Sequence, residues 1–148
     1  MIKSKRNEND FRTVNQIQVI NWPDHSEPEK ERGYSTIEQV LMLMQENICC
    51  NPKSPILLHC SGGIGRTGTM IAIYNIIKSF SIVKIWNNLT QYSLKPFMSV
   101  FNTVRKLREQ RYGMVSSMEQ YKYIYDFCIE WYSRNYFSTN NQRNLNGR

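Results

Sequence analysis

The sequence predicts an α/β fold, and two features of its patterning do so. Two runs have strand character. One is residues 12–21, where Ile17 and Val19 alternate with Gln16 and Gln18; the other is the short apolar run Ile56-Leu57-Leu58-His59. The second run then leads through a glycine-rich turn directly into Met70-Ile71-Ala72-Ile73-Tyr74-Asn75-Ile76-Ile77, an apolar segment of helical length, so strand, loop and helix follow one another. At 148 residues, 41% of them hydrophobic, the chain can bury the core of one domain.

In chain order, residues 1–11 are polar and charged and read as a flexible N-terminus. The strand over residues 12–21 runs into Trp22-Pro23-Asp24-His25, where Pro23 ends the pattern. The charged run Glu27-Pro28-Glu29-Lys30-Glu31-Arg32 then reads as a surface loop. Ser35-Thr36-Ile37-Glu38 is a capping box, and the helix it opens carries Ile37, Val40, Leu41, Met44 and Ile48 on one face. Asn51-Pro52-Lys53-Ser54-Pro55 leads into the second strand, and the helix after it is expected over residues 67–79. Residues 81–96 show no clear period. A further helix is expected over residues 98–110, with Phe97, Phe101, Val104 and Leu107 inward and Arg105, Arg108 and Arg111 along a polar face. Ser117-x-x-Gln120 caps a last helix bearing Tyr121, Ile124, Tyr125, Cys128, Trp131 and Tyr132. Residues 134–148 are Asn-rich and aperiodic and read as a disordered tail.

The chemistry gathers in His59-Cys60-Ser61-Gly62-Gly63-Ile64-Gly65-Arg66-Thr67-Gly68. A helix start leaves backbone N–H groups unpaired and carries the positive end of the macrodipole, so it favours an anion. Glycines at 62, 63 and 65 remove the Cβ obstruction and let successive N–H groups turn inward around tetrahedral oxygens. A cysteine at the mouth of such a bowl has its pKa lowered from about 8.5 into a range of roughly 3.5–7.5, which makes Cys60 a thiolate nucleophile. Arg66 can grip two phosphate oxygens with its planar fork. A buried cysteine before a strand-to-helix turn would account for Cys60 alone, but not for the whole string. It is not a Walker loop, because no Gly-Lys-Ser/Thr follows the glycines.

Cys-x5-Arg in this setting resembles the signature loop of the protein tyrosine phosphatases. Trp22-Pro23-Asp24-His25 resembles their mobile acid loop, which by that resemblance makes Asp24 the general acid and Trp22 the loop anchor, with Ser26 where the family often has Gly. Arg108-Glu109-Gln110-Arg111-Tyr112-Gly113-Met114-Val115-Ser116-Ser117-Met118-Glu119-Gln120-Tyr121 resembles the glutamine loop, with Ser116 at the first glutamine position and Gln120 at the second. In the family the first glutamine helps to place the hydrolytic water, and serine is too short to copy it. Gln120 serves equally well as the partner of Ser117 in the capping box. The three motifs together point to the tyrosine-specific members and not the dual-specificity ones.

The resemblance implies a partial, N-terminally truncated tyrosine-phosphatase-like domain over residues 12–133, with a short mixed sheet and four or more helices. It implies hydrolysis of phosphotyrosine through a cysteinyl-phosphate, with Cys60, Arg66, Asp24 and Thr67 catalytic. Ser61, Gly62, Gly63, Ile64, Gly65, Arg66 and Gln120 would bind substrate, and His59 would support Cys60. The alternative is a pseudophosphatase that binds or traps phosphotyrosine, which Ser116 and the short front favour.

No metal or other cofactor is expected. The partners are tyrosine-phosphorylated proteins, and the oligomeric state stays open. The net charge of +7 is spread along the chain without a nucleic-acid motif, so it reads as solvated helix faces with a general attraction for phosphorylated partners. The four cysteines form no C-x2-C pair, and no run is long enough to span a membrane. A reactive thiol needs a reducing compartment, and the N-terminus has no apolar signal region, so the expected location is cytoplasmic.

Overall fold

The computed structural model describes residues 2–3, 11–12, 14–28, 30–50, 52–89 and 99–137. Four helices make up most of it: α1 over Lys30–Cys50, α2 over Gly65–Leu89, α3 over Val100–Gln110 and α4 over Met118–Tyr132. A π-helical turn, Ser133–Phe137, continues α4. Residue 1, residues 4–10 of the expected flexible N-terminus and residues 138–148 of the expected disordered tail lie outside the described residues. Among the described residues, no helix is long and apolar enough to cross a membrane.

Helix α2 is the central element and packs against both α3 and α4. Its Met70, Ala72, Ile73, Ile76 and Phe80 are buried against Val100, Val104 and Leu107 of α3 and Tyr123, Ile124, Phe127 and Cys128 of α4. Aromatic rings join the remaining pieces. Tyr34 of α1 meets Tyr123 and Phe127 of α4 with both ring centroids 5.6 Å away. Phe80 of α2 stacks on Trp131 at 6.1 Å. Ile37, Leu41 and Met44 of α1 complete the core. An ion pair of 2.7 Å between Arg134 and Glu38 ties α1 to the π-helical turn.

The expected short mixed sheet is not found among the described residues. The described β pairing is a two-residue antiparallel ladder, Ile2–Lys3 against Phe11–Arg12. Residues 14–20 and 55–60 carry the strand-like patterns but pair with no neighbour among the described residues. A helix satisfies its own backbone, whereas a strand needs a ladder partner from elsewhere, and β-branched alternation encodes an extended run without supplying that partner. Alternation sorts the faces only at single positions: Val19 and Leu58 pack against the core, but Ile17, two residues before Val19, is 45% exposed, beside Ile20 at 87% and Leu57 at 85%.

Three helix limits also differ from the expected ones. Helix α1 begins at Lys30, five residues before the expected capping box, so the charged run taken for a loop is partly helical. Its Glu, Lys and Arg are strong helix formers, and Pro28 stands two residues before the helix start, where its missing N–H breaks no helical bond. Helix α2 begins at Gly65 and runs through the aperiodic stretch to Leu89. In α3 the inward set is Val100, Val104 and Leu107, set by the Ser99 cap, whose hydroxyl accepts the Asn102 N–H at 3.1 Å. Phe101 is consequently 62% exposed, and Phe97 lies outside the described residues.

Extended apolar segments without ladder partners are templates for association. Purified chain is expected to self-associate in sedimentation velocity, and the paired change Ile20→Lys and Leu57→Lys to shift it towards monomer. A wild-type chain that sediments as a single monomer and melts cooperatively at high temperature would show that these segments are harmless.

Candidate active site

Residues 61–64 turn between the extended run and the first turn of α2, which starts at Gly65. Gly63 takes φ +67°, a left-handed conformation that a residue with a Cβ adopts only with strain. The turn directs N–H groups at the Cys60 sulfur. Burial is the largest single influence on that thiol and pushes its pKa up. The Thr67 hydroxyl and the backbone N–H groups of Thr67, Gly63 and Ile64 together outweigh burial and bring it down from the ordinary 9 to about 7. Cys128 is the contrast: buried in the α4 core without such donors, it is pushed up to about 12. Cys49 and Cys50 are exposed at the end of α1.

Arg66 lies in the first turn of α2 and reaches across to the acid loop. Its Nη1 donates to the Trp22 carbonyl at 2.9 Å, and its Nη2 donates to Ser61 Oγ at 2.8 Å and meets Asp24 Oδ1 at 3.1 Å. Its Nε is buried with no hydrogen-bond partner among the described residues, a donor available to an anion. The Asp24 side chain is 58% exposed, so the carboxylate holds the arginine from the solvent side. The loop around it is closed on itself: the Trp22 indole donates to the Ser26 carbonyl at 2.8 Å, and Ser26 Oγ donates to the Pro23 carbonyl at 3.0 Å. Trp22 is buried, its ring 6.3 Å from that of Tyr123.

The loop of residues 111–117 lies against this assembly. An added Cβ at Gly68 would stand 2.6 Å from the Val115 backbone nitrogen, so glycine there permits the loop to rest on α2. Val115 takes φ 60°, a strained value for a β-branched residue. Three bonds hold it: Val115 N–H donates to the Ile64 carbonyl at 3.1 Å, while Arg108 donates through Nε to the Met114 carbonyl and through Nη2 to the Val115 carbonyl, both at 2.9 Å. Arg111 Nη2 donates to the Gly62 carbonyl at 3.2 Å and lies over Gly63, adding a second guanidinium to the bowl.

The structure thus brings together Cys60, Ser61, Gly62, Gly63, Ile64, Gly65, Arg66, Thr67, Asp24, Trp22 and Gln120. His59 is exposed and makes no hydrogen bond among the described residues. Ser117 accepts the Gln120 N–H at 3.2 Å, the backbone half of the expected capping box. The Gln120 side chain makes the other bond one residue earlier, to Ser116. Sequence reasoning missed Arg108 and Arg111 as parts of the site. Their three-residue spacing was visible, but it read equally well as a solvated helix face.

Comparison with known proteins finds relatives along most of the chain. A family model described as protein-tyrosine phosphatase matches residues 1–130. The Mus musculus tyrosine-protein phosphatase non-receptor type 18 is 32% identical over 127 residues, 84% of this chain and 25% of that protein. The Rattus norvegicus receptor-type tyrosine-protein phosphatase V is 35% identical over 119 residues, 80% of this chain and 6% of that protein. The crystal structure of the Trypanosoma brucei protein tyrosine phosphatase TbPTP1 matches with a TM-score of 0.57 at 34% identity, over 74% of this chain and 33% of its own. The chain therefore spans a quarter or less of the length of these two curated relatives. With a family model covering most of its residues, the chain belongs to the protein-tyrosine phosphatase family.

Proposed function

We propose that the chain hydrolyses phosphotyrosine in proteins through a cysteinyl-phosphate intermediate. The observation that carries this reading is a Cys60 thiol brought down to about 7 beside an Arg66 whose fork reaches Asp24 at 3.1 Å. An incoming phosphate monoester competes with Asp24 for Arg66, because it offers more negative charge and two oxygens to the fork. Arg66 and the N–H groups of residues 61–65 then neutralise its equatorial oxygens. The Cys60 thiolate attacks phosphorus in line, the bond from phosphorus to the tyrosyl oxygen breaks, and Asp24, which takes up a proton from solvent once the phosphate displaces it from Arg66, gives that proton to the tyrosyl oxygen. Water next attacks the cysteinyl-phosphate, giving its proton to Asp24. The phosphorus–sulfur bond breaks with its electron pair on sulfur, where the buried Thr67 hydroxyl stabilises the returning thiolate. A reactive thiolate works in a reducing setting, which supports a cytoplasmic site of action on tyrosine-phosphorylated proteins.

A second reading, a trap that binds phosphotyrosine and turns it over slowly, is favoured by one observation. The Gln120 oxygen takes two donors from Ser116 and its amino group already donates to Ser26, which leaves at most one N–H there for water, and Ser116 carries no amide.

With Cys60 as the low thiol, its alkylation by iodoacetate rises with pH through about 7 and outpaces Cys49 and Cys50 at about pH 6, while Cys128 stays unreactive in the folded chain. Equal labelling of Cys49, Cys50 and Cys60 under those conditions would remove the nucleophile from the mechanism.

Steady-state turnover of an aryl phosphate is expected to vanish in Cys60→Ser and to fall by about 10²–10⁴ in Asp24→Asn. In the wild type a pre-steady-state burst should precede slow turnover. Ser116→Gln should raise the steady-state rate and shrink the burst. If the wild type shows no burst and Ser116→Gln changes neither quantity, hydrolysis of the intermediate does not limit the rate.

A further inference from the structure

Gln120 is fully buried, yet its side chain is polar, and its amide bonds two separate parts of the site, Ser116 and Ser26. Its Oε1 accepts the Ser116 N–H at 3.2 Å and the Ser116 hydroxyl at 3.3 Å. Its Nε2 donates to the Ser26 carbonyl at 3.4 Å, the same oxygen that takes the Trp22 indole N–H at 2.8 Å. The orientation of the amide follows from these partners. A backbone N–H can only donate, so the atom facing Ser116 is the oxygen, and the amino group is thereby turned towards Ser26. The signature loop makes room for the pair: a Cβ at Gly65 would stand 2.6 Å from Ser116 Oγ and 3.1 Å from both Gln120 amide atoms.

We infer that Ser116 and Gln120 form a latch on the acid loop, in which Ser116 orients the Gln120 amide and Gln120 Nε2 holds the Ser26 carbonyl, keeping Asp24 beside Arg66. Gln120 is a positioning residue: it touches neither Cys60 nor Asp24 and acts through the turn of residues 22–26. Ser116 contributes two donors from one residue, its own N–H and the hydroxyl of a short side chain, and both reach one oxygen. It is the residue that sets the latch, and the short side chain that cannot place water is what allows this. The inference rests on reading Asp24 as the acid, but its test does not.

The Trp22 indole proton reports on the shared carbonyl directly. Its solvent exchange can be followed by NMR in the intact chain, with Trp22→Phe assigning the resonance and Trp131 in α4 as internal control. Ser116→Ala removes one donor to Oε1, and Gln120→Met removes the amide. Each is expected to speed Trp22 indole exchange by about two- to tenfold, more in Gln120→Met, while Trp131 exchange is unchanged. Unchanged Trp22 exchange in Ser116→Ala would overturn the latch, and so would equal acceleration of Trp22 and Trp131, which marks general loosening. Ser116 is exposed, so its alanine variant remains informative if Gln120→Met does not fold. A chain that cleaves no phosphate ester but shows the exchange pattern keeps the latch and loses the proposed activity. A chain that cleaves the ester without the pattern does the reverse.

Discussion

The Ile64 carbonyl accepts two N–H groups, from Gly68 at 3.0 Å and from Val115 at 3.1 Å. One bond closes the first turn of α2, and the other attaches a loop that lies some fifty residues further along the chain. The site depends on this junction because it presses the 111–117 loop onto the helix start, and Gly68 is the residue whose lack of a Cβ permits it. A left-handed Val115 costs about 1–3 kcal/mol. Two guanidinium bonds from Arg108 are of comparable size, at about 1.5–3 kcal/mol each for hydrogen bonds to charged groups. The strain is held by the clamp, and the clamped loop carries Ser116 to Gln120.

The bowl concentrates positive potential from several weak sources: the helix start, the inward N–H groups, the Thr67 hydroxyl and the guanidinium groups of Arg66 and Arg111. The pair Cys60 and Cys128 shows what those sources do to one chemical group. Both thiols feel burial, which disfavours the thiolate in each. Donors around Cys60 reverse that preference; Cys128 sits among apolar helix faces and has nothing to reverse it. Arg66 is meanwhile held by Trp22, Ser61 and Asp24, and its buried Nε has no hydrogen-bond partner among the described residues.

Local patterning made all four helices legible, because a helix bonds within itself and needs from the rest of the chain only a cover for its apolar stripe. Ser117 capping α4, and Ile37, Leu41 and Met44 facing inward from α1, could be read directly. The phase of α3 could not, because Phe101 and Val100 are adjacent apolar residues and the cap at Ser99 decides between them. The strand-like runs failed for a different reason: an extended segment becomes a strand only through a partner, and the pattern along one run says nothing about whether one is present.

By itself the sequence determined the residue types at the candidate site and their order: a cysteine and an arginine six positions apart around glycines, an aspartate in a Trp-Pro-Asp loop, and a serine where the family resemblance expects a glutamine. Those are properties of short contiguous strings, and chemistry that depends on a string's own backbone can be read from it. The tertiary structure alone decided what those strings do to one another. It set Arg66 on Asp24 across 42 positions of sequence, turned Arg108 and Arg111 from a solvated face into a clamp and a second guanidinium, and bound Gln120 to both Ser116 and Ser26. The physical reason is that hydrogen-bond partners are chosen by distance and direction in space, and neither is a function of separation along the chain.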